Sequence, residues 1–214
     1  MPRVKVKRQY TSTLRQRQAS ETRSRILDAA QRLFTDSGYG ATTMESIASE
    51  AGVATDTVYA SFRNKAGVLH RLLDVRVGGD DSPVQLIDRE GPQNARAEPT
   101  QQGQIDLFAP DVAQILERMR PVDEIMRGAA AIDPEIAELR ARMQRFRYDN
   151  LRLFVAWLAA KGPLRGGISE EEAAAIVWTL ASPEVHGLLR DGRGWPHERY
   201  VAWLADSLTR ILLP

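Results

Sequence analysis

The stretch VATDTVYASFRNK, residues 53–65, predicts a short helix with two chemically different sides. Val58 and Phe62 lie one turn apart and form an apolar pair that can hold the helix against a core. The opposite side carries a carboxylate, a hydroxyl, a phenol and a methyl group: Asp56, Thr57, Tyr59 and Ala60. These groups leave this side of the helix available for contact with a partner.

The distribution of charge indicates the kind of partner. The net charge of the 214 residues is +1, but residues 1–79 have a net charge of +6 and residues 80–214 a net charge of −5. The first 25 residues contain eight basic residues and one acidic residue. This concentration predicts a polyanionic partner for the N-terminal part. We expect residues 1–19 to form a disordered basic arm, the alternative being a solvated tail without a partner.

The residues around the short helix predict a helix-turn-helix. Apolar residues recur at three- and four-residue spacing from Ser20 onwards, and TTMESIASEAG, residues 42–52, has a predicted capping box between Thr42 and Glu45. A further helix is predicted from Lys65 to Val77. Residues 20–79 are therefore expected to form four helices, of which the second and third are short and joined by a tight turn.

The run TTMESIASEAGVATDTVYASFRNKAGVL, residues 42–69, resembles the DNA-binding signature of the TetR (tetracycline repressor-like) family of bacterial transcription regulators. Its matching positions are Thr43, Ile47, Ala48, Ala51, Gly52, Val53, Thr57, Val58, Tyr59, Phe62, Lys65 and Leu69. The resemblance covers about residues 20–78 and departs at Ala54, where the family often has a serine that caps the recognition helix. It implies a DNA-binding domain at 20–79 and an effector-binding and dimerisation domain at 80–214. No segment alternates like a strand, so we expect an all-α protein.

The predicted recognition helix would read double-stranded DNA through its exposed side, because the major groove admits an α-helix. The predicted base contacts are Thr55, Asp56, Thr57 and Ala60. A carboxylate accepts from cytosine N4, and methyl groups pack on thymine. The predicted phosphate contacts are Thr42, Thr43, Tyr59 and Lys65. The basic arm would add salt-dependent affinity.

A recognition helix of this size touches few base pairs, so specific binding requires two copies about 34–36 Å apart on a near-palindromic site. We therefore predict a homodimer. The predicted interface lies on helices at about 170–181 and 196–213 and consists of Ile176, Val177, Leu180, Val201, Leu204, Leu208 and Ile211. The alternative is that these apolar stripes face the core of one protomer.

Between Gly79 and Gly103, Ser82 and Pro83 could start a short helix that Gly91 and Pro92 would end, and the rest is expected to be a mobile connection. Other helices are predicted at about 104–119, 121–131, 134–161 and 183–190. They carry flexible and flat apolar side chains suited to an adaptable pocket. The resemblance implies a small-molecule effector there. The candidate ligand contacts are Met119, Met126, Arg127, Met143, Phe146, Phe154, Trp157, Trp178 and His186, each of which has ordinary core packing as its alternative.

The resulting prediction is a sequence-specific transcriptional regulator, by family default a repressor, released from a palindromic operator by the effector. The alternatives are a DNA-organising protein without sequence preference and a small-molecule enzyme on a helical scaffold. The sequence contains no nucleophile elbow, phosphate loop or metal-ligand spacing, and no cysteine, so we expect no enzyme activity, cofactor, metal or disulfide. No apolar run could cross a membrane, and we expect a cytoplasmic protein.

Overall fold

The computed structural model describes the backbone of residues 7–214 and the side chains from residue 17 onwards. In this part of the chain the regular structure is helical and no β-strand occurs, which confirms the all-α prediction. The chain divides into two compact units, Met1–Asp74 and Val75–Pro214. The division falls within one helix, five residues before the predicted domain boundary at residue 79.

The first unit contains α1 (Lys7–Asp36), α2 (Met44–Ala51), α3 (Thr55–Phe62) and most of α4 (Lys65–Gly78). Its core consists of apolar side chains that recur at helical spacing: Ile26, Leu27, Ala30, Phe34, Ile47, Ala48, Val58, Phe62, Val68, Leu69 and Leu72. α2 packs against both α1 and α3. The helix-turn-helix predicted from the sequence is therefore present.

α1 begins at Lys7, thirteen residues before the predicted start at Ser20. Residues 7–19 of the predicted disordered arm are thus helical in the structure, and residues 1–6 lie outside the described part. Residues 7–19 contain neither glycine nor proline. Extending an existing helix adds one hydrogen bond for each residue fixed, so this segment continues the helix that Ile26 and Leu27 anchor.

α2 has a capping box one residue later than predicted. The Thr43 hydroxyl accepts from the Ser46 amide at 3.1 Å, and the Ser46 hydroxyl accepts from the Thr43 amide at 3.0 Å. The predicted pair of Thr42 and Glu45 was wrong, since a serine hydroxyl takes the place of the carboxylate. α2 ends at Gly52, whose φ of 64° is in the left-handed region that glycine adopts without strain.

The second unit contains the last residues of α4 and six further α-helices. These are α5 (Glu90–Ala97), α6 (Gln101–Ala130), α7 (Pro134–Ala159), α8 (Glu170–Leu180), α9 (Pro183–Gly187) and α10 (His197–Leu212). A π-helix, Leu188–Gly192, separates α9 from α10. α6 is central, since it packs against α5, α7, α9 and α10.

Two predictions for this unit were wrong. The expected mobile connection contains α5, whose first turn includes Gly91 and Pro92. A proline is tolerated there because first-turn amides have no partner within the helix. The predicted break at Pro121 is absent, and α6 continues to Ala130. A proline inside a helix removes one hydrogen bond, but the buried residues Val122 and Met126 hold the following turn in the core.

Candidate DNA-binding surface and ligand-binding region

The exposed side of α3 carries the groups that were predicted from the sequence. Asp56, Tyr59 and Ala60 are exposed, and Thr55 and Thr57 are half-buried. Val58 is fully buried on the opposite side. The structure thus brings all the predicted base-contact residues to the surface. Their contact with DNA stays a prediction.

α3 begins without a side-chain cap, because Ala54 at the N-cap position offers no hydrogen-bond acceptor. The Thr57 amide donates to the Ala54 carbonyl at 2.9 Å. Amides at an uncapped helix N-terminus are free to bind an anion or solvent, and the helix dipole favours negative charge at that end. The absence of a serine at position 54 therefore leaves the start of α3 open to a partner.

Tyr59 lies beside Glu45 of α2. The Tyr59 hydroxyl donates to a Glu45 carboxylate oxygen at 3.3 Å. The negative charge of Glu45 raises the pKa of Tyr59, while the hydrogen bond from its own backbone amide lowers the pKa of Glu45. Tyr59 therefore retains its proton and acts as a donor. Glu45 was predicted to form a cap, and its pairing with Tyr59 across the turn was not predicted.

Thr42 does not have the exposure that a phosphate contact requires. It is 3% exposed, and its hydroxyl donates to the Gly38 carbonyl at 2.9 Å. The phosphate contact predicted for its hydroxyl is therefore corrected to a role in the turn between α1 and α2. Thr43 is exposed and remains available at the start of α2.

The ammonium group of Lys65 is already bound by the protein. Its Nζ lies 2.7 Å from the Tyr39 carbonyl oxygen and 2.9 Å from the Thr42 carbonyl oxygen, with the Gly40 carbonyl oxygen at 3.5 Å. Nζ also lies 4.3 Å from the centre of the Tyr39 ring. The predicted phosphate contact of Lys65 is therefore replaced by a structural one. Lys65 fastens the turn between α1 and α2 to the start of α4.

The candidate ligand contacts divide by burial. Met119, Met126, Phe154 and His186 are buried. Met143, Trp157 and Trp178 are half-buried, whereas Arg127 and Phe146 are exposed. Phe146 has 47% of its surface exposed, and its contact with an effector stays a prediction. The four buried residues lie on α6, α7 and α9, which pack on one another through α6.

Two residues that were not predicted as ligand contacts lie near the start of α6, one of them against Phe154 of α7. Phe108 stacks on Phe154 with 3.9 Å between ring centres. Gln104 is fully buried, and neither atom of its amide group has a hydrogen-bond partner among the described residues. Buried polar groups are nearly always hydrogen-bonded, so such an amide needs an explanation. The polar run QQGQ gave no sequence signal for this burial.

His186 of α9 is buried beside Glu117 in the middle of α6. Its Nε2 lies 3.2 Å from a Glu117 carboxylate oxygen, and its ring meets the Tyr200 ring edge-on at 4.7 Å. Arg190 holds the same carboxylate through two contacts of 3.0 and 3.2 Å. Burial lowers the pKa of His186, and the charge of Glu117 opposes this shift. The imidazole is therefore neutral at pH 7.

The predicted dimer interface is partly contradicted. Val177, Leu204 and Leu208 are fully buried within the protomer, because α8 and α10 both pack inside the second unit. Ile176, Leu180 and Val201 are half-buried, and Ile211 is 39% exposed.

Two further exposed apolar side chains lie on α7. Phe146 is 47% exposed and Leu153 is 45% exposed. A groove of about 530 Å³ runs between α7 and the start of α8 and is lined by Tyr148, Asp149, Arg152, Leu153, Ala156, Glu170 and Glu171.

The C-terminal end of α4 is held by two arginines of the second unit. The Arg118 guanidinium donates to the carbonyls of Arg76 and Val77 at 3.1 and 3.3 Å. Arg89 donates to the Gly78 carbonyl at 2.6 Å. Three consecutive carbonyls that a helix end leaves unpaired are thereby satisfied. Burial lowers the pKa of Arg118, and the negative charge of Asp111 opposes this shift.

The described residues contain no group of three or more His, Asp or Glu side chains placed to hold a metal ion. Within that same part of the chain, no helix has the length and apolar character needed to cross a bilayer.

We predict that Lys65→Met destabilises the protein by about 1–3 kcal/mol, because three carbonyls lose a charged donor. Urea denaturation followed by circular dichroism measures this loss. Arg32→Met is the matched control, since the Arg32 guanidinium lies on the surface and pairs with the exposed Glu50 carboxylate at 3.0 Å. Its substitution should change stability by less than about 1 kcal/mol. Equal losses in the two variants would contradict the structural role of Lys65.

We also predict that His186 makes stability depend on pH. Its folded-state pKa lies below the unfolded value of about 6.5, so the unfolded chain binds the additional proton. The free energy of unfolding should therefore fall as the pH drops from about 7.5 to about 5.5. His186→Gln should show a smaller fall over the same range. A variant that lost as much stability as the wild type between these two pH values would disprove the assignment.

The comparison with known proteins agrees with this geometry. The sequence profile described as "Bacterial regulatory proteins, tetR family" matches residues 26–72, which span the helix-turn-helix. The HTH-type transcriptional regulator TtgR of Pseudomonas putida is 28% identical over 177 residues, covering 81% of this chain and 80% of TtgR. The HTH-type transcriptional repressor BepR of Brucella suis is 27% identical, covering 83% and 85%.

Solved structures share the fold. NalD, described as the secondary repressor of the MexAB-OprM multidrug efflux pump in Pseudomonas aeruginosa, superposes with a TM-score of 0.67 at 24% identity. That superposition covers 90% of this chain and 96% of NalD. A complex of SmeT with triclosan gives a TM-score of 0.64 at 22% identity, covering 91% and 92%. Residues 26–72 thus form a helix-turn-helix domain of the tetR family, and the chain is similar over about four fifths of its length to DNA-binding transcriptional regulators of that family, which are not enzymes.

Proposed function

We propose that the protein is a homodimeric repressor that binds a palindromic operator in the cytoplasm and leaves it when a small-molecule effector binds. The observation that carries the proposal is the exposed side of α3. It presents hydroxyls, a carboxylate and small side chains, while Val58 and Phe62 hold the opposite side in a core. A helix of this shape fits the major groove.

We assign base contacts to Thr55, Asp56, Thr57 and Ala60, since each is exposed or lies at the edge of the exposed side. Tyr59 and Thr43 are assigned to phosphates. Tyr59 suits this role because it keeps its proton as a hydrogen-bond donor. Lys65 and Thr42 are withdrawn from the DNA contacts, since the turn before α2 occupies their polar groups.

The dimer that a palindrome demands would form through α7 and α8. A two-fold interface must complement itself, and this surface carries both an apolar and a charged pattern. Phe146 and Leu153 supply apolar area. Opposite charges come from cations on α7 and carboxylates at the start of α8. Within the described part of the chain these side chains have no ion pair, so they are available to a partner: Arg145, Arg152, Glu170 and Glu171.

The effector would bind between α6 and α7, next to the stacked rings of Phe108 and Phe154. The buried amide of Gln104, about one turn before Phe108 on α6, supplies donor and acceptor atoms. A small, largely apolar and planar molecule with one or two polar groups fits this set. The triclosan complex of SmeT and the efflux-pump role in the description of NalD support a ligand of this kind.

The switch would act through α4, which is one continuous helix from Lys65 to Gly78. Arg118 binds its last carbonyls from α6, so a ligand that displaces α6 also displaces the end of α4. Release of DNA then follows if the effector binds the displaced state more tightly. Effector and operator must weaken each other's binding by the same factor.

Selection of bound fragments from a random DNA pool tests the proposed function directly. We expect a two-fold symmetric consensus with half-sites about one helical turn apart. A protein that binds every duplex with equal affinity at moderate salt would instead be a DNA-organising protein. Titration of triclosan against the selected duplex then probes the effector region, with Gln104→Leu as the variant and Leu107→Ala as the exposed control on α6.

We predict that Asp56→Ala and Thr57→Val change the preference for particular base pairs by about 1–3 kcal/mol each. Both residues lie on the exposed side of α3, so the variants should fold normally. Repeated selection with each variant measures the change. An unaltered consensus for both would show that these side chains do not read bases.

We predict that Phe146→Glu disrupts the dimer, because it places a carboxylate in the apolar part of a self-complementary surface. Sedimentation should show a monomer, and affinity for the full palindrome should fall toward that for a half-site. Leu107→Glu is the matched control, since Leu107 on α6 is 41% exposed. A dimeric Phe146→Glu variant with unchanged affinity would place the interface elsewhere.

A further inference from the structure

The helix-turn-helix lacks the positive charge that a phosphate backbone attracts. Residues 33–62 include all of α2 and α3 and contain four acidic residues but no lysine or arginine. Of the cations that flank this segment, Arg32 pairs with Glu50 at 3.0 Å. Lys65 is bound to carbonyl oxygens. A nearby source of charge is Arg63, whose side chain is exposed and has no hydrogen bond or ion pair in the described part of the chain.

The backbone of Arg63 adopts a conformation that arginine normally avoids. Its φ is 67° and its ψ is −50°, and no other non-glycine residue of the described chain has a positive φ. The Asn64 amide donates to the Phe62 carbonyl at 2.7 Å. These values define a γ-turn with a positive φ at its centre, which is a rare and strained structure. Glycine would adopt the same conformation without the steric cost of a Cβ atom.

The residues on both sides of Arg63 enforce this turn. Phe62 is buried in the core and ends α3. The Asn64 side chain accepts from the Gly67 amide at 2.7 Å and so begins α4. A Cβ atom on Gly67 would overlap the Phe62 carbonyl oxygen. With both helices fixed this closely, the single residue between Phe62 and Asn64 must take the positive φ.

Arg63 also continues the exposed side of α3. Its amide donates to the Tyr59 carbonyl at 2.8 Å, so its backbone lies one turn after Tyr59, where the next helical residue would be. Asp56, Tyr59 and Arg63 follow each other at three- and four-residue spacing. Residues with this spacing share one face of a helix. The Cα atom of Arg63 therefore lies at the end of the face that carries the proposed DNA contacts.

We infer that Arg63 is a phosphate-binding residue at the end of the recognition helix, and that the strained turn is retained because glycine there would remove the charge. The inference rests on the proposed function and replaces Lys65 as the source of positive charge. A guanidinium binds a phosphate through two parallel hydrogen bonds, which suits a fixed position on the DNA backbone.

Three variants separate the strain from the charge. Arg63→Gly removes both, Arg63→Asn removes the charge but tolerates a positive φ, and Arg63→Lys retains both. Arg193→Gly removes one exposed charge from a glycine-flanked loop of the second unit and controls for net charge. The probes are the duplex that the wild type selects from a random pool and a scrambled duplex of the same length. Binding is measured from low to moderate salt, and thermal unfolding is followed in parallel.

Arg63→Gly should unfold at a temperature equal to that of the wild type or up to about 4 °C higher. It should bind both duplexes roughly tenfold more weakly at low salt. The slope of log affinity against log salt should become shallower by about two per dimer, one for each lost phosphate contact. Arg63→Asn should show the same loss of affinity and the same shallower slope as Arg63→Gly. Arg63→Lys and Arg193→Gly should retain the wild-type slope.

The outcomes are distinct. If the wild type selects no duplex, the proposed function fails and this inference fails with it. If the wild type selects a duplex and the glycine and asparagine variants keep its slope, only the assignment of Arg63 fails. A glycine variant that unfolds at a lower temperature overturns the claim of strain, while the asparagine and lysine variants still decide whether the charge contacts DNA.

Discussion

The burial of one short helix by two side chains is the constraint on which the DNA-binding unit depends. α3 has eight residues, and Val58 and Phe62 are the ones that enter the core. So small a contact leaves the opposite side free, but it also makes the helix dependent on its neighbours for orientation. The capped start of α2, the glycine end of α2 and the Lys65 contacts provide that orientation. The proposed base contacts are thus carried by an element that the surrounding turns hold in place.

Much of this unit could be predicted from the sequence because its determinants are local. Apolar spacing located α2 and α3, and Gly52 predicted where α2 ends. Thr42 and Lys65 were assigned wrongly for a physical reason. From the sequence, the Thr42 hydroxyl and the Lys65 ammonium group look available to a partner. In the structure, both are bound by carbonyl oxygens of the turn between α1 and α2, and for Lys65 these carbonyls lie more than twenty residues earlier in the chain.

The second unit was less predictable because long-range packing decides its details. Pro121 has the local character of a helix start, yet the buried residues after it keep α6 continuous. Leu204 and Leu208 have the spacing of an interface stripe, but they fill the protomer's own core. Burial of Gln104 had no sequence signal, since a glutamine among polar neighbours is usually exposed. The burial of such residues is decided by helices that are remote in the chain.

Pro121, the second of two prolines inside α6, also has a mechanical consequence. Pro121 has no amide hydrogen, so the carbonyl of Glu117, four residues earlier, lacks its usual donor within the helix. A helix bends with least resistance where its ladder of hydrogen bonds is interrupted. Arg118, which donates hydrogen bonds to the last carbonyls of α4, lies in the turn of α6 that precedes Pro121. The hydrogen-bond ladder of this thirty-residue helix is therefore interrupted within one turn of the residue that holds the end of α4.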